Sequence, residues 1–215
     1  MDSVAPPRER AERAGMVSWH ADPVHVEPGD LVLVQSPGRF FGVVRRLGGN
    51  PYDHVAVVVD DGLSVNIDKP AARTLPVERL LRESLHPLVL RPRFASEDER
   101  TRFVAAIEQL LRAPYDVRRT LWLVERLLEQ RLLGRARPLP PLGWDRERWI
   151  CTDAVLLGLE RHVSGFAALR EMPLDWVAIG SGTTNDLLTI HRARPDLLAE
   201  IRPFATRAPV SSGRP

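Results

Sequence analysis

The sequence has little cysteine and no long apolar run. Its one cysteine, Cys151, cannot form an internal disulfide. The N-terminal residues MDSVAPPRERAERAGM carry charges and prolines where a secretory signal needs an apolar stretch. No segment approaches the ~18 consecutive apolar residues that a membrane-spanning helix requires. These absences predict a cytoplasmic protein without an integral membrane segment.

Positive charge is abundant but balanced. The 30 basic residues include a single lysine, Lys69, and 28 acidic residues reduce the net charge to +2. The arginines alternate with Asp and Glu in helical segments and form no basic run with interleaved aromatic residues, which is typical of a solvated surface. We therefore expect no nucleic-acid partner.

The length of 215 residues and the 44% hydrophobic content favour a single domain with one core. Residues 1–18 and 205–215 are rich in Pro, Ser, Arg and Ala, so they cannot bury enough apolar surface to offset the entropy of ordering. The sequence predicts one domain over residues 19–204 between two flexible ends.

Strands are predicted early in the chain. PGDLVLVQ predicts a turn and a strand over 31–35, and HPLVLRPR predicts a further strand. HVAVVVDDGLSVNI predicts a hairpin with strands 54–59 and 63–67 around the turn Asp60-Asp61-Gly62.

Helices are predicted later in the chain. Ser96, followed by acidic residues, predicts an N-cap for a helix to about Leu111, and further helices are predicted over 117–133 and 151–161. GRARPLPPLGW predicts a loop, MPLDWVAI either ends a helix or forms a strand, and GSGTTNDLLTI turns into a last helix. The predicted class is α+β.

Cys151 is the first candidate for chemistry. It lies at the first turn of an apolar helix, where the partial positive charge of the terminus favours a thiolate. Thr152 and Asp153 are predicted to cap or complement the N–H groups of that turn.

His54 is the candidate base. It opens an apolar strand after the loop Gly-Asn-Pro-Tyr-Asp, so its ring is expected to project beside a solvent-accessible edge of the sheet. If residue 59 pairs with 63 across the turn, then 56 pairs with 66 and 54 with 68. Asn66 and Asp68 then both lie within reach of the ring, and either can orient it.

These segments resemble a known family. PGDLVLV, DHVAVVVDDGLSVNI, APYD and WICTDAVLLGLE are similar to motifs of the NlpC/P60 papain-like cysteine hydrolase superfamily. Their order resembles the circularly permuted branch that includes YiiX-like and lecithin:retinol acyltransferase-like proteins. The resemblance covers about residues 27–160 and implies a papain-like α+β fold, with a small antiparallel sheet or half-barrel packed against helices.

The resemblance also implies roles for individual residues. Cys151 would be the nucleophile, His54 the base and Asn66 the orienting residue, since the family places a polar residue twelve positions after its histidine. Asp68 stays an alternative orienter. Tyr115, from APYD, matches a family tyrosine near the cysteine and is expected to help bind the oxyanion.

The implied activity is that of a cysteine-dependent hydrolase or acyltransferase, without a cofactor, that acts on a peptide, another amide or a lipid ester. Relatives often carry Glu at the third position and Cys-Ser-Glu-Leu at the nucleophile, and this chain departs from both. Residues 117–148 would be an insertion, either a lid or an interaction surface. Its helix is predicted to provide a packing or homodimer surface.

Two other function classes stay open. The fold can persist as a non-catalytic binding or regulatory domain with an occluded cleft. A metal hydrolase using His54, Asp53, Asp60 and Asp61 is disfavoured, because the sequence contains no His-x-x-x-His or Cys-x-x-Cys ligand pair. We therefore predict no bound metal. Trp149 is expected in the core and not at a substrate platform.

Overall fold

The computed structural model describes residues 26–36, 39–49, 51–84, 86–134, 137–140 and 146–201. Residues 26–201 belong to one compact unit, which lies within the predicted domain of 19–204. The predicted flexible ends, 1–18 and 205–215, lie outside the described residues, as do residues 141–145 of the proline-rich loop.

A six-stranded antiparallel sheet organises the molecule. Its strands are β1 Leu31–Val34, β2 His54–Asp60, β3 Leu63–Asn66, β4 Arg73–Pro76, β5 Leu88–Pro92 and β6 Leu198–Ile201. Their order in the sheet is β4-β3-β2-β1-β5-β6, and every neighbouring pair is antiparallel. The predicted α+β class with an antiparallel sheet is confirmed, and the sheet is open.

The central hairpin differs in register from the prediction near its turn. Ala56 pairs with Asn66 as expected, but Leu63 pairs with Asp60 and not with Val59. A β-bulge between Val58 and Asp60 absorbs the extra residue. Gly62 has φ +73°, a left-handed conformation that favours glycine in the turn. The predicted pairing of residues 54 and 68 is also wrong, because β3 ends at Asn66.

Helices lie between and after the strands. They are α1 Arg39–Gly48, α2 Val77–Glu83, α3 Glu97–Glu108, α4 Val117–Leu133, α5 Cys151–His162, a 3₁₀-helix Ser164–Glu171, α6 Asp175–Ala178 and α7 Thr184–Ala193. Ser96 caps α3 as predicted, since its hydroxyl accepts a hydrogen bond from the N–H of Glu99. Met172 and Leu174 have extended backbone angles and α6 follows them, so MPLDWVAI contains a short helix of its own.

The main core lies between the sheet and helices α3 and α5. Residues 151–159 of α5 are all buried, as in a helix enclosed by a core on every side. Trp149 is also buried, as expected for a core residue. One cluster joins the sheet to the two helices: Leu31, Leu33, Val55, Val57, Val65, Phe103, Ile107, Ala154, Val155, Leu156 and Leu159. This packing holds the start of α5 in a fixed place relative to the hairpin.

Candidate active site

Cys151 is the first residue of α5. The residue before it, Ile150, has extended backbone angles and an apolar side chain that cannot cap the helix. The first intrahelical bond runs from the N–H of Ala154 to the carbonyl of Ile150 at 3.2 Å. The N–H groups of the first turn therefore have no acceptor within the helix, and they can bind a negatively charged group beside the sulfur.

Thr152 and Asp153 make no capping hydrogen bond to this turn, so the capping part of the prediction is wrong, although Asp153 does place an acidic residue in the first turn. The Thr152 hydroxyl donates to the carbonyl of Gly182 at 2.6 Å. Asp153 accepts hydrogen bonds from the Ser181 hydroxyl at 2.9 Å and from the N–H of Gly182 at 2.7 Å. Both side chains therefore anchor the residue 181–182 segment against α5 and leave the first turn open.

His54 lies at the start of β2, between Asn66 and Cys151. Its Nε2 donates to Oδ1 of Asn66, and the Cys151 sulfur is close enough for its charge and hydrogen bonding to raise the pKa of the ring. His54 and Asn66 are diagonal neighbours across the hairpin, because Ala56 is the residue paired with Asn66. The sequence thus predicted which residues would meet although it misplaced the register beyond them.

The three side chains are buried. Cys151 is 5% exposed, His54 9% and Asn66 4%. The prediction that His54 projects beside a solvent-accessible edge is wrong, since β2 lies between β1 and β3 in the sheet.

Asp68 lies beyond the end of β3 and interacts with His54 through its charge alone. It raises the pKa of His54 as the smallest of several contributions. Its carboxylate instead accepts a hydrogen bond from the N–H of Lys69 at 2.7 Å and lies 4.0 Å from Arg73. Between the two predicted orienting residues, Asn66 is the one hydrogen-bonded to the ring.

The proton affinity of His54 is set by opposing effects. Burial acts most strongly and lowers its pKa, but the negative charge of Cys151 and hydrogen bonds to Cys151 and Asn66 raise it. Together they raise the pKa of His54 from 6.5 to about 9. At neutral pH the ring is therefore protonated beside the sulfur.

Tyr115 completes the cluster. Burial is the main reason that its pKa is raised, and the charge of Cys151 is the second. The phenol therefore keeps its proton and shares a hydrogen bond with the Thr120 hydroxyl at 3.1 Å. A neutral phenol near the sulfur is able to donate to a developing oxyanion.

Short backbone pairings bring these distant segments together. The N–H of Tyr115 donates to the carbonyl of Pro70, just after the hairpin, at 3.0 Å. On its other side, Tyr115 forms a parallel bridge with Trp149, two residues before Cys151. The segment around Tyr115 thus links the end of the hairpin to the start of α5.

A buried charge network supports the start of α5, and the sequence reasoning missed it. Arg119 of α4 donates from Nε to Asp153 at 2.5 Å and also to the carbonyls of Pro140 and Gly180. Arg146 pairs with Asp116 at 2.6 Å. Asp116 caps α4 by accepting from the N–H of Arg119 at 2.9 Å. The pairing of Arg119 with Asp153 spans 34 residues, and no local pattern in the sequence predicts it.

Two features of the described residues bear on other functions. Within the described ranges, no three His, Cys, Asp or Glu side chains come together in a way that would hold a metal ion. Among the helices that the structure describes, none combines the length and apolar character needed to cross a membrane.

Comparison with solved structures finds a similarity to the crystal structure of the metalloprotein YiiX from Escherichia coli O157:H7. The TM-score is 0.50 at 12% sequence identity, over 82% of this chain and 97% of the YiiX chain. YiiX has a papain-like fold of the NlpC/P60 type, which agrees with the YiiX-like resemblance of the sequence. At this identity the likeness concerns the fold alone. No family model matches the sequence, and no curated protein matches it.

Proposed function

We propose that the protein is a cysteine-dependent hydrolase or acyltransferase that cleaves an amide or ester bond through an acyl-thioester. One observation carries the proposal: the sole cysteine begins a buried helix beside His54, whose pKa it raises, and Asn66 hydrogen-bonds to the ring of that histidine. This is the arrangement of nucleophile, base and orienting residue that covalent catalysis requires.

The proposed reaction begins with the proton on His54. The Cys151 thiolate attacks the substrate carbonyl carbon, and the carbonyl oxygen becomes an oxyanion. The first-turn N–H groups of α5 and the Tyr115 hydroxyl stabilise that charge. His54 then gives its proton to the departing amine or alcohol as the carbon–heteroatom bond breaks, which leaves a thioester on Cys151.

The second half of the reaction regenerates the thiolate. Neutral His54 accepts a proton from water, or from an acceptor alcohol or amine. At the same time the oxygen or nitrogen atom of that molecule attacks the thioester carbon. The tetrahedral intermediate collapses, releases the acid or the transferred acyl product, and restores the Cys151 thiolate and the protonated ring. Asn66 keeps Nε2 engaged throughout, so that Nδ1 is the nitrogen that exchanges protons.

The chain order supports a circularly permuted arrangement as part of this proposal. The sheet strand with His54 precedes the helix with Cys151 along the chain. A peptide, another amide or a lipid ester fits the proposed chemistry equally well, because all present a carbonyl carbon with a heteroatom leaving group.

Thiol chemistry tests the proposal directly. We expect p-nitrophenyl acetate to give a burst of p-nitrophenol and an acetyl adduct on Cys151, and iodoacetamide to alkylate the same sulfur at neutral pH. His54→Ala should slow both reactions at least about 100-fold, since general base catalysis is worth ~10²–10⁴. Cys151→Ala should show neither adduct.

Alanine substitutions at Asn66 and Asp68 form a matched pair of test and control. Asn66→Ala removes the partner of Nε2 and should slow acylation about 10-fold or more, the cost of a lost hydrogen bond to a charged group. Asp68→Ala should change the rate less than about 3-fold, because it removes one exposed charge. Equal effects of the two substitutions would contradict the role given to Asn66.

The burial of the three side chains favours a second candidate, a non-catalytic binding domain that keeps the fold. In that case the thiol reacts with iodoacetamide at the same rate in the native chain and in His54→Ala. Such a result, together with no acetyl adduct, would remove the catalytic proposal.

A further inference from the structure

Helix α4 presents an apolar stripe to solvent. Val117, Leu121, Leu128 and Leu132 are 43%, 54%, 40% and 78% exposed, and Val124 lies partly buried among them. At 100° per residue these five positions fall within about 80° of the helix circumference. The opposite face is packed in a core cluster, where Leu123 and Leu127 meet Leu139, Ile150 and Ile179. The exposed positions of the stripe therefore lie outside the core cluster through which α4 packs on its own chain, and α1 also contacts α4.

The spacing of the stripe is that of a coiled-coil seam. Residues 117, 121, 124 and 128 follow each other at intervals of four, three and four, as alternating d and a positions do. The narrow seam fits another helix better than a flat apolar surface. Charges of both signs, Arg118 and Glu125, border it, whereas helices that lie on anionic membranes have a basic border.

We propose that α4 pairs antiparallel with α4 of a second copy of this chain. A two-fold axis between residues 122 and 123 places Leu121 opposite the partner's Val124. The same axis places Val117 opposite the partner's Leu128. All four seam positions then find an apolar neighbour, so the stripe is complementary to itself.

The charges beside the seam fit the same symmetry. Arg118 and Glu125 both lie on the exposed side of α4 at successive e positions. In the antiparallel pair, Arg118 of each copy faces the partner's Glu125, which gives two opposite-charge contacts. Within one chain the two residues are two turns apart: Arg118 stacks on Trp122 at 4.4 Å, and Glu125 lies 3.4 Å from Arg126. A parallel pair would bring neither charge near its opposite.

Sedimentation velocity over a range of protein concentrations tests the pairing on the full chain. A contact of one helix per copy is smaller than the standard ~800 Å² per partner, so we expect a dissociation constant on the order of tens of micromolar. Leu121→Glu should raise that constant at least about 100-fold, since two leucines leave the interface. Val177→Glu, at an exposed valine of α6, is the matched control and should leave it unchanged.

Charge exchange tests the antiparallel register. Arg118→Glu alone and Glu125→Arg alone should each weaken the dimer about 3- to 30-fold, because each places like charges opposite one another twice. The double variant should restore the original affinity even though it also loses the contact of Arg118 with Trp122. All these positions are exposed, and circular dichroism establishes that each variant is folded.

Disulfide crosslinking in a Cys151→Ala background supplies an independent readout. A Val117→Cys chain mixed with a Leu128→Cys chain should form a crosslinked dimer on mild oxidation, and Leu128→Cys alone should not. Crosslinking of Leu128→Cys with itself would overturn the proposal in favour of a parallel pair. A chain that is monomeric at every concentration, or a dimer that Leu121→Glu leaves intact, would also overturn it. A monomer that binds phosphatidylglycerol vesicles through Leu121 would assign the stripe to a membrane surface and equally overturn the pairing.

Discussion

Two opposing effects determine the pKa of His54, and the balance between them depends on the sulfur atom of Cys151. Burial lowers the pKa of the ring, and the charge and hydrogen bond of Cys151 raise it past its ordinary value to about 9. A buried imidazolium without a counter-charge is costly, so the charged ring depends on the sulfur beside it. The proton affinity of His54 is therefore a direct measure of its contact with Cys151.

Replacing Cys151 by alanine should lower the pKa of His54. The two contributions of Cys151 disappear while burial, which lowers the pKa, remains. Histidine ring resonances followed by NMR against pH measure the change. His162, at the far end of α5, is an internal control whose titration should not move. A His54 ring that still titrates near pH 9 in Cys151→Ala would contradict the pairing of the two side chains.

The same shift gives stability a pH dependence of known sign. Because folding raises the pKa of His54 from 6.5 to about 9, the contribution is complete below about pH 6.5 and is lost as pH rises through about 9. The difference in unfolding free energy between the native chain and Cys151→Ala should therefore shrink over this interval. Urea unfolding at both ends of the interval measures it, and a difference that grows with pH would contradict the sign.

At the scale of elements, α4 holds the start of α5 through one buried ion pair. Arg119 is 4% exposed, and Asp153 is fully buried. Burial raises the pKa of Asp153, and the charge of Arg119 is the largest effect that opposes this rise. Since Asp153 follows Cys151 by two residues, this ion pair fixes the turn of α5 that carries the proposed nucleophile.

Arg119→Met should destabilise the protein by about 3–5 kcal/mol, because it leaves the Asp153 carboxylate buried without its partner. Thermal unfolding measures the change. Arg82→Met breaks an exposed pair with Glu78 on α2 and should cost less than about 1 kcal/mol. Adding Asp153→Asn to Arg119→Met should recover part of the loss, since the carboxamide carries no charge. Equal destabilisation by Arg119→Met and Arg82→Met would show that the buried pair has no special role.

Elements with strong local patterns could be predicted from the sequence. The β-branched residues of 54–59 and the Asp60-Asp61-Gly62 turn predicted the hairpin, and Ser96 predicted the start of α3. The weak elements were not predicted. RTLP and LAEI form β4 and β6 at the two edges of the sheet, where four-residue strands with few buried side chains carry little periodic signal. Helix α1 was missed although its residues follow helical spacing, because the aromatic and β-branched residues of FFGVVRRLG favour strands.

The candidate site shows the same difference between features with a local sequence pattern and features without one. Cys151, His54 and Asn66 were predicted because each lies in a short motif, and the hairpin fixes the spacing of the last two. The partners of Thr152 and Asp153 were not predicted, because Gly182 and Arg119 lie about 30 residues away in opposite directions along the chain. A side chain that hydrogen-bonds to a distant backbone group produces no periodic pattern in its own segment of the sequence.

At the scale of the whole molecule, one late segment of the chain contacts both sides of the site. Gly182 is bound to α5 through Thr152 and Asp153. Two residues later, the Thr184 hydroxyl donates to the carbonyl of Tyr52 at 2.7 Å, just before His54. Segment 182–184 therefore connects the backbone that carries the sulfur to the backbone that carries the imidazole.

Gly182→Ala should loosen this connection. An added Cβ would clash with a terminal carbon of the buried Leu156 side chain and would lie 3.1 Å from the carbonyl oxygen of Thr152, so we expect Leu156 and the segment to shift relative to each other. Such overpacking costs about 1–3 kcal/mol, and thermal unfolding measures it. The same displacement should slow alkylation of Cys151 by iodoacetamide, because it shifts the first turn of α5 relative to His54.

Gly42→Ala in α1 is the control. Its Cβ meets a flexible arginine side chain at 3.8 Å, and alanine should stabilise the helix by about 0.5–1 kcal/mol with no effect on alkylation. If Gly182→Ala lowered stability but left the alkylation rate intact, the segment would support the fold without aligning the two halves of the site.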